Sequence, residues 1–314
     1  MTRLSLSQAV SDQLLRSTPG SLSSKGWSRI RGALVRVSDP VVEYRIGDVT
    51  IRLPMSHNLP YFQKVFPYYS RNLGRMAALV HADRPDLAAV DVGANVGDSV
   101  AIIRSETHIP VLAIEGDRRY FALLQANAPR LGPELYLRCV MVGTAPERRR
   151  GALVAQGGSA HYEEGAPGSD GVAFETLSQI IGQTTELAGR KLLLKIDTDG
   201  LDCMILKAEE ELLSRRRPVV FFEYDPEHFQ RYGDDGFAVF ESLRRAGYSD
   251  LIAYENTGEM RGSIGLEEVD RLRAMHDGYV GRGGESYADL CVFHSADAEL
   301  FAKVIAAETE FFRR

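Results

Sequence analysis

From residue 86 onward the chain alternates short apolar runs with stretches whose apolar residues recur at helical spacing, and this alternation restricts the possible folds more than any other feature. Ala88–Val92, Val111–Ile114, a run within 135–142, Leu192–Ile196 and Val219–Phe222 read as strands. Between them, Val96, Val100 and Ile103 share one helix face, Phe121, Leu124 and Ala128 a second, and Ile205, Ala208 and Leu212 a third. Short, mostly apolar strands that alternate with amphipathic helices predict a parallel sheet covered on both faces. Leu251–Tyr254 and Leu290–Phe293 add two strands, and Leu300, Val304, Ala307 and Phe311 lie on one face of a closing helix. The expected architecture is α/β: a doubly wound, Rossmann-like sheet of seven mostly parallel strands.

The first 85 residues follow another pattern, which divides the chain into an N-terminal α+β cap or substrate-binding region, 1–85, and a main domain, 86–314. Val41–Ile46 and Val49–Leu53 flank Gly47-Asp48 and read as a hairpin. An aromatic stretch with Tyr61, Phe62, Phe66, Tyr68 and Tyr69 precedes a helix expected from Arg71 to His81. The first thirty residues are polar and broken, which suits a surface arm better than a secretory signal. Thr144–Asp170 is rich in Gly, Arg and small residues, so it reads as a long functional loop or an irregular hairpin.

Composition removes several classes of function. A chain with 44% hydrophobic and 25% charged residues folds, and no apolar run approaches the roughly 18 residues of a membrane span. A cytoplasmic location follows as the expectation, with assembly into a homo-oligomer left open. The net charge of -6 argues against nucleic acid as a partner, although Arg148–Arg150 and Arg215–Arg217 are locally basic. Cys139, Cys203 and Cys291 are widely spaced and form no C-x-x-C pair, so they are expected to be small buried residues and neither disulfides nor zinc ligands.

Asp91-Val92-Gly93-Ala94-Asn95-Val96-Gly97-Asp98 falls between a strand and a helix, where open parallel sheets bind ligands. Gly93 permits a tight turn, and Gly97 is expected to let a cofactor approach the backbone. The G-x-G-x-x-G loop that seats a pyrophosphate is not met, because Asn95 occupies its second glycine position. Asp91 and Asp98 would repel a pyrophosphate but suit the sulfonium and ammonium of S-adenosylmethionine. Glu115, at the end of the second strand, is placed to accept hydrogen bonds from two ribose hydroxyls.

Lys195-Ile196-Asp197-Thr198-Asp199-Gly200-Leu201-Asp202 ends another strand at the same edge, and Glu223 and Asp225 follow the next one. Carboxylates converging in a cleft can accept a substrate proton, hold a hard cation such as Mg²⁺, or bind an amine. Asp197, on the strand end, is the leading candidate for base and for metal ligand, with Glu223 beside it. Asp202 lies in the first turn of the following helix and reads as a cap, a role open to Asp199 as well.

Together the two motifs resemble the FkbM family of methyltransferases, in which a D-V-G-A-N-x-G loop precedes a distant K-I-D-x-E-G-x-E-like segment. The matching text is Asp91–Gly97 and Lys195–Asp202, with Phe174-Glu175-Thr176-Leu177 resembling the segment before the second motif. The resemblance implies a class I methyltransferase sheet, S-adenosylmethionine as cofactor, and cofactor contacts from Asp91, Gly93, Asn95, Gly97 and Glu115. It also implies a role for Asp197 beside the transferred methyl and an acceptor hydroxyl on a sugar, glycan or natural product. Tyr69 and Met141 join Asp98 as further cofactor-side candidates, while His57, Tyr69 and His161 are expected to border the acceptor. The departures are Asp199 and Asp202 where the family carries Glu, and Ser178 where Asp often follows Thr-Leu. A nicotinamide-dependent oxidoreductase and a non-catalytic cofactor-binding protein are the alternatives. The absent pyrophosphate loop weighs against the former.

Overall fold

A computed structural model describes residues 5–149, 151–156, 159–164, 172–282 and 286–313. The main sheet is built from β1 (Leu87–Val92), β2 (Val111–Ile114), β3 (Leu135–Arg138), β4 (Lys191–Ile196), β5 (Val219–Tyr224), β6 (Tyr248–Glu255), β7 (Met260–Gly265) and β8 (Ala288–His294). Its spatial order is β7-β6-β8-β5-β4-β1-β2-β3. The five strands from β3 to β5 are parallel, and β8, β6 and β7 complete the sheet antiparallel. This is the class I methyltransferase arrangement expected from the sequence, with β7 as an eighth strand hydrogen-bonded to the outer side of β6.

Alternation along the buried strands divides the core in two. Val90, Val92, Leu112, Ile114, Leu194, Ile196, Val220 and Phe222 meet the helices Leu177–Gln183, Asp202–Ala208, Ala238–Arg245 and Val269–Tyr279 on one face. Leu87, Ala89, Val111, Ala113, Leu193, Val219 and Phe221 lie on the other face, with the helices Arg71–Asp83, Asp98–Glu106, Arg118–Leu131 and Ala298–Arg313. Val10, Val42, Ile51, Leu53 and Leu59 belong to that second core, so the N-terminal region shares the sheet's own hydrophobic layer.

The polar opening segment forms two helices where an arm was expected. Ser5 caps Leu6–Arg16 by accepting from Gln8 N (3.2 Å), and Ser21 caps Leu22–Val37 by accepting from Ser24 N (3.1 Å). The hairpin pairs Val41–Ile46 with Val49–Pro54. Asn127 fastens it to the main domain: its Oδ1 accepts from Arg52 N (2.7 Å), and its Nδ2 donates to Arg52 O and Val96 O (2.8 Å each). Helix Arg71–Asp83 crosses Asp98–Glu106 so closely that a Cβ on Gly74 would lie 2.8 Å from Ile102 O. The same helix is tied to the C-terminal helix by Arg75, whose guanidinium forks onto buried Glu308 at 2.8 and 2.9 Å.

The strand expected within 135–142 is split. Only 135–138 joins the main sheet, whereas Met141–Val142 pairs with Val172–Glu175 in a small separate sheet. The 144–170 stretch contains a hairpin, Gly151–Gln156 with Ser159–Glu164; the side chains of His161 and Arg148–Arg150 lie outside the described residues. Cys203 and Cys291 are buried as expected, while Cys139 is exposed.

Candidate functional site

The register of the parallel strands creates the site. Ile114 pairs with Val92, Val92 with Ile196, and Ile196 with Phe222, so these four residues stand level: β2, β1 and β4 end there, and β5 runs on to Tyr224. The next residues, Glu115, Gly93, Asp197 and Glu223, therefore stand side by side along the carboxyl edge, at about 4.8 Å per strand. Glu223 in turn pairs with Asp289 on antiparallel β8. Above this row opens a cavity of about 580 Å³, roofed by His57, Phe62 and Tyr69 from the N-terminal region. It is large enough for a nucleoside carrying an amino-acid arm together with part of an acceptor.

The first motif is shaped by close backbone contact. Gly93 has φ +79°, and a Cβ there would lie 1.8 Å from Asp197 O, so the two motifs touch only because this residue is glycine. Asn95, at φ +49°, donates its N–H to Glu115 Oε2 (2.8 Å), and Asp117 N donates to Oε1 (2.6 Å). Burial pushes the Glu115 carboxyl up to about 7, against the two backbone donors that favour its charge. Each carboxylate oxygen keeps acceptor capacity beyond one backbone bond, as a ribose diol requires. Met141 packs against Gly116 with its side chain on the cavity wall.

Two motif residues take other positions. A Cβ on Gly97 would meet Leu131 Cδ1 at 2.7 Å and Leu124 Cδ1 at 2.9 Å, so this glycine admits helix Arg118–Leu131 and not a cofactor. Asp91 is fully buried, hydrogen-bonded to Ser99 Oγ and paired with Lys195 Nζ (3.1 Å), and it does not line the cavity. Its charge is already met by Lys195, which removes it from contact with a sulfonium. Asp98 does line the cavity. Burial raises its carboxyl above the ordinary range, while His57 and Lys195 oppose the shift.

Lys195 links the two motifs, donating to Gly93 O (3.0 Å) and lying 3.4 Å from Asp197 Oδ2. Burial works against its charge, but Asp197, Asp91 and Asp98 outweigh that and raise it above the usual lysine range. Asp197 is half exposed and faces the cavity. Asp202 is wholly buried and turns back to accept from Thr198 N (3.2 Å), Thr198 Oγ1 (3.0 Å) and Gly200 N (3.2 Å). It holds the loop that presents Asp197 and Asp199 and does not cap its helix as expected: the N-cap is Leu201, which makes no side-chain cap bond, and the Asp202 carboxylate turns back to residues before the helix.

Beyond Asp197 the cavity becomes carboxylate-rich. Burial raises Glu223 well above the ordinary glutamate range, and Asp197, Asp199, Asp202 and Asp289 push the same way. Asp289 is raised to about 7 by burial, although fully buried Asn72 donates Nδ2 to its Oδ2 (2.8 Å). Tyr69 and Tyr287 complete this end, their phenols held above the normal range first by burial and then by the neighbouring acids. Among the described residues, ligand atoms converge within 4.8 Å only in Glu223, Asp225 and His228. The expected metal ligand Asp197 is not among them, because its carboxylate already faces the Lys195 cation.

The structure thus gathers Gly93, Asn95, Asp98, Glu115, Tyr69, Met141, Asp197 and Glu223 about one cavity, with Asp91 and Gly97 behind it. Sequence reasoning missed Asn72, Tyr287, Asp289 and His228. Asn72 and Asp289 meet across 217 residues, and the only sequence signal was Asp289 opening an otherwise apolar strand.

An open sheet of this order, with acids from β2 and β4 facing one cavity at its carboxyl edge, defines a class I methyltransferase. Residues 91–249, just over half of the chain, match the family model for the methyltransferase FkbM domain, and the chain belongs to that family. Similar solved structures include methyltransferase FkbM from Methylobacillus flagellatus (18% identity, 52% of this chain and 38% of that one, TM-score 0.36). Others are an O-methyltransferase from Bacillus cereus (13% identity, 86% and 99%, TM-score 0.36) and precorrin-6y C5,15-methyltransferase from Geobacter metallireducens (13% identity, 67% and 80%, TM-score 0.34). No curated protein matches the chain significantly. The family assignment rests on the family model alone.

Proposed function

We propose that the chain is an S-adenosylmethionine-dependent O-methyltransferase whose acceptor is a hydroxyl of a sugar, glycan or natural product. The observation that carries this reading is the level ending of β2, β1 and β4, which puts Glu115 and Asp197 two strand spacings apart on one cavity wall. The donor set fits the cofactor: Glu115 for the ribose diol, Asp98 for the ammonium, and the Gly93 turn for close backbone approach. When bound, S-adenosylmethionine supplies an electrophilic methyl group on a sulfonium. The chain's own tasks are to aim the acceptor oxygen, exclude water and take up one proton.

Asp197 suits the last task because it is the carboxylate most open to the cavity at the strand end next to Gly93. Glu223, whose carboxyl is raised well above the ordinary glutamate range by burial and four neighbouring acids, is suited, in its protonated form, to donate a hydrogen bond to the acceptor. With the cofactor bound, the acceptor oxygen would take the methyl while the electron pair of the broken carbon–sulfur bond stays on sulfur, and Asp197 would receive the acceptor's hydroxyl proton; Tyr69, Phe62 and Tyr287 line that end of the cavity.

Thermal-shift titration with S-adenosylhomocysteine and NAD tests the cofactor: only the former should stabilise the protein. Radiolabelled methyl transfer to a panel of glycans and hydroxylated small molecules then tests the chemistry. Asp197→Asn should keep S-adenosylhomocysteine binding and lose at least about 100-fold in turnover. Unchanged turnover in that variant refutes the role of base, and an inert wild type across the panel supports the non-catalytic alternative.

A further inference from the structure

The short loop between the N-terminal hairpin and helix Leu59–Val65 is held with unusual completeness for a surface connection. Arg31 donates to Met55 O (2.9 Å), Ser56 O (3.0 Å) and Asn58 Oδ1 (3.4 Å). From the other side Asp39 accepts from Ser56 N (2.8 Å) and Ser56 Oγ (2.6 Å). His57 N donates to Pro54 O (2.9 Å), closing the turn. The side chain these bonds position is His57, only 7% exposed and on the cavity wall.

The orientation of that imidazole follows from its neighbours. Leu59 N donates to His57 Nδ1 (3.3 Å), so the neutral ring carries its proton on Nε2. Burial favours the neutral ring; Asp98 and the Asn95 side chain favour the charged form, and Arg31 opposes it. His57 thus lies within electrostatic reach of Asp98 and Asn95, and all three line the cavity. An N–H donor backed by an arginine and set next to a carboxylate is complementary to an amino-acid zwitterion: the donor meets its carboxylate and the acid its ammonium.

We propose that His57 binds the carboxylate of the cofactor's methionine arm, so that the N-terminal region, outside the family domain, completes the cofactor site. This rests on the S-adenosylmethionine reading above and moves His57 from the acceptor side to the cofactor side.

The test compares S-adenosylhomocysteine with 5′-methylthioadenosine, which keeps the nucleoside but lacks the amino-acid arm, by titration calorimetry on the full chain. The wild type should prefer S-adenosylhomocysteine. His57→Ala should weaken that ligand by roughly 10-fold to 100-fold and leave 5′-methylthioadenosine unchanged, the loss expected for one hydrogen bond to a charged group. His57→Gln, which keeps a terminal N–H donor, should recover part of the preference and serves if the alanine variant does not fold. Equal weakening of both ligands, or an undiminished preference in both variants, overturns the assignment. A wild type that binds neither ligand overturns the underlying cofactor reading instead.

Discussion

If Glu115 holds the cofactor's ribose as proposed, cofactor affinity should depend on pH, with a sign set by the protonation state that accepts those hydroxyls. Its carboxyl is pushed up to about 7 by burial. Two ribose hydroxyls are donors, so they favour the ionised form, and affinity should rise with pH and level off above about 7. If only the carboxylate binds, the competent fraction grows from about one in eleven at pH 6 to about ten in eleven at pH 8, a gain of about tenfold. Titration calorimetry with S-adenosylhomocysteine from pH 6 to 8, in buffers of different ionisation enthalpy, measures both the slope and the release of close to one proton at the acid end. Asp98 and Asp289 also face the cavity with raised carboxyls, so Glu115→Gln is the needed control. The variant should bind more weakly at pH 8 and lose the tenfold rise. An identical slope in wild type and variant, or affinity falling as pH rises, refutes the argument.

Two further outcomes concern stability. Arg75→Met should cost about 3–5 kcal/mol in urea unfolding by stranding buried Glu308, and adding Glu308→Met should recover most of it; additive losses would show that the fork is not the coupling. Asp202→Ala should cost roughly 1–3 kcal/mol by leaving Thr198 and Gly200 donors unmet. Folding raises the Asp202 carboxyl from 3.8 to about 7, so its stabilising contribution is full below about pH 4 and declines as pH rises towards 7. The cost of Asp202→Ala should therefore shrink over that range, and a constant cost would contradict the assignment.

The sheet was legible because continuous apolar runs such as Val111–Ile114 and Val219–Phe222 leave little choice but a strand buried on both faces. Glu115, Asp197 and Glu223 were legible for the same reason, each being the first acid after such a run. Asp91 and Gly97 sit in the same motif, but their roles depend on partners supplied from afar: Lys195 for the acid, Leu124 and Leu131 for the glycine. Periodicity carries no information about such pairings. The opening helices escaped notice although Leu6, Val10 and Leu14, and Trp27, Ile30 and Leu34, fall at helical spacing, because the Ser, Gly and Arg residues between them read as polar breaks. Asn72 and Asp289 were hidden by the antiparallel return of β8, whose register beside β5 no local pattern records.

The meeting of Gly93 with the Asp197 carbonyl has a consequence for how such proteins diverge and how they can be engineered. Segments a hundred residues apart are fitted to each other atom against atom, so neither can be exchanged alone between relatives. A chimera that imports the cofactor loop without its matching strand tip inherits a collision or a gap at the reacting centre. The N-terminal roof makes no such contact with Gly93, so if it borders the acceptor as proposed, a new acceptor preference can be grafted there provided that His57 and the loop holding it are kept.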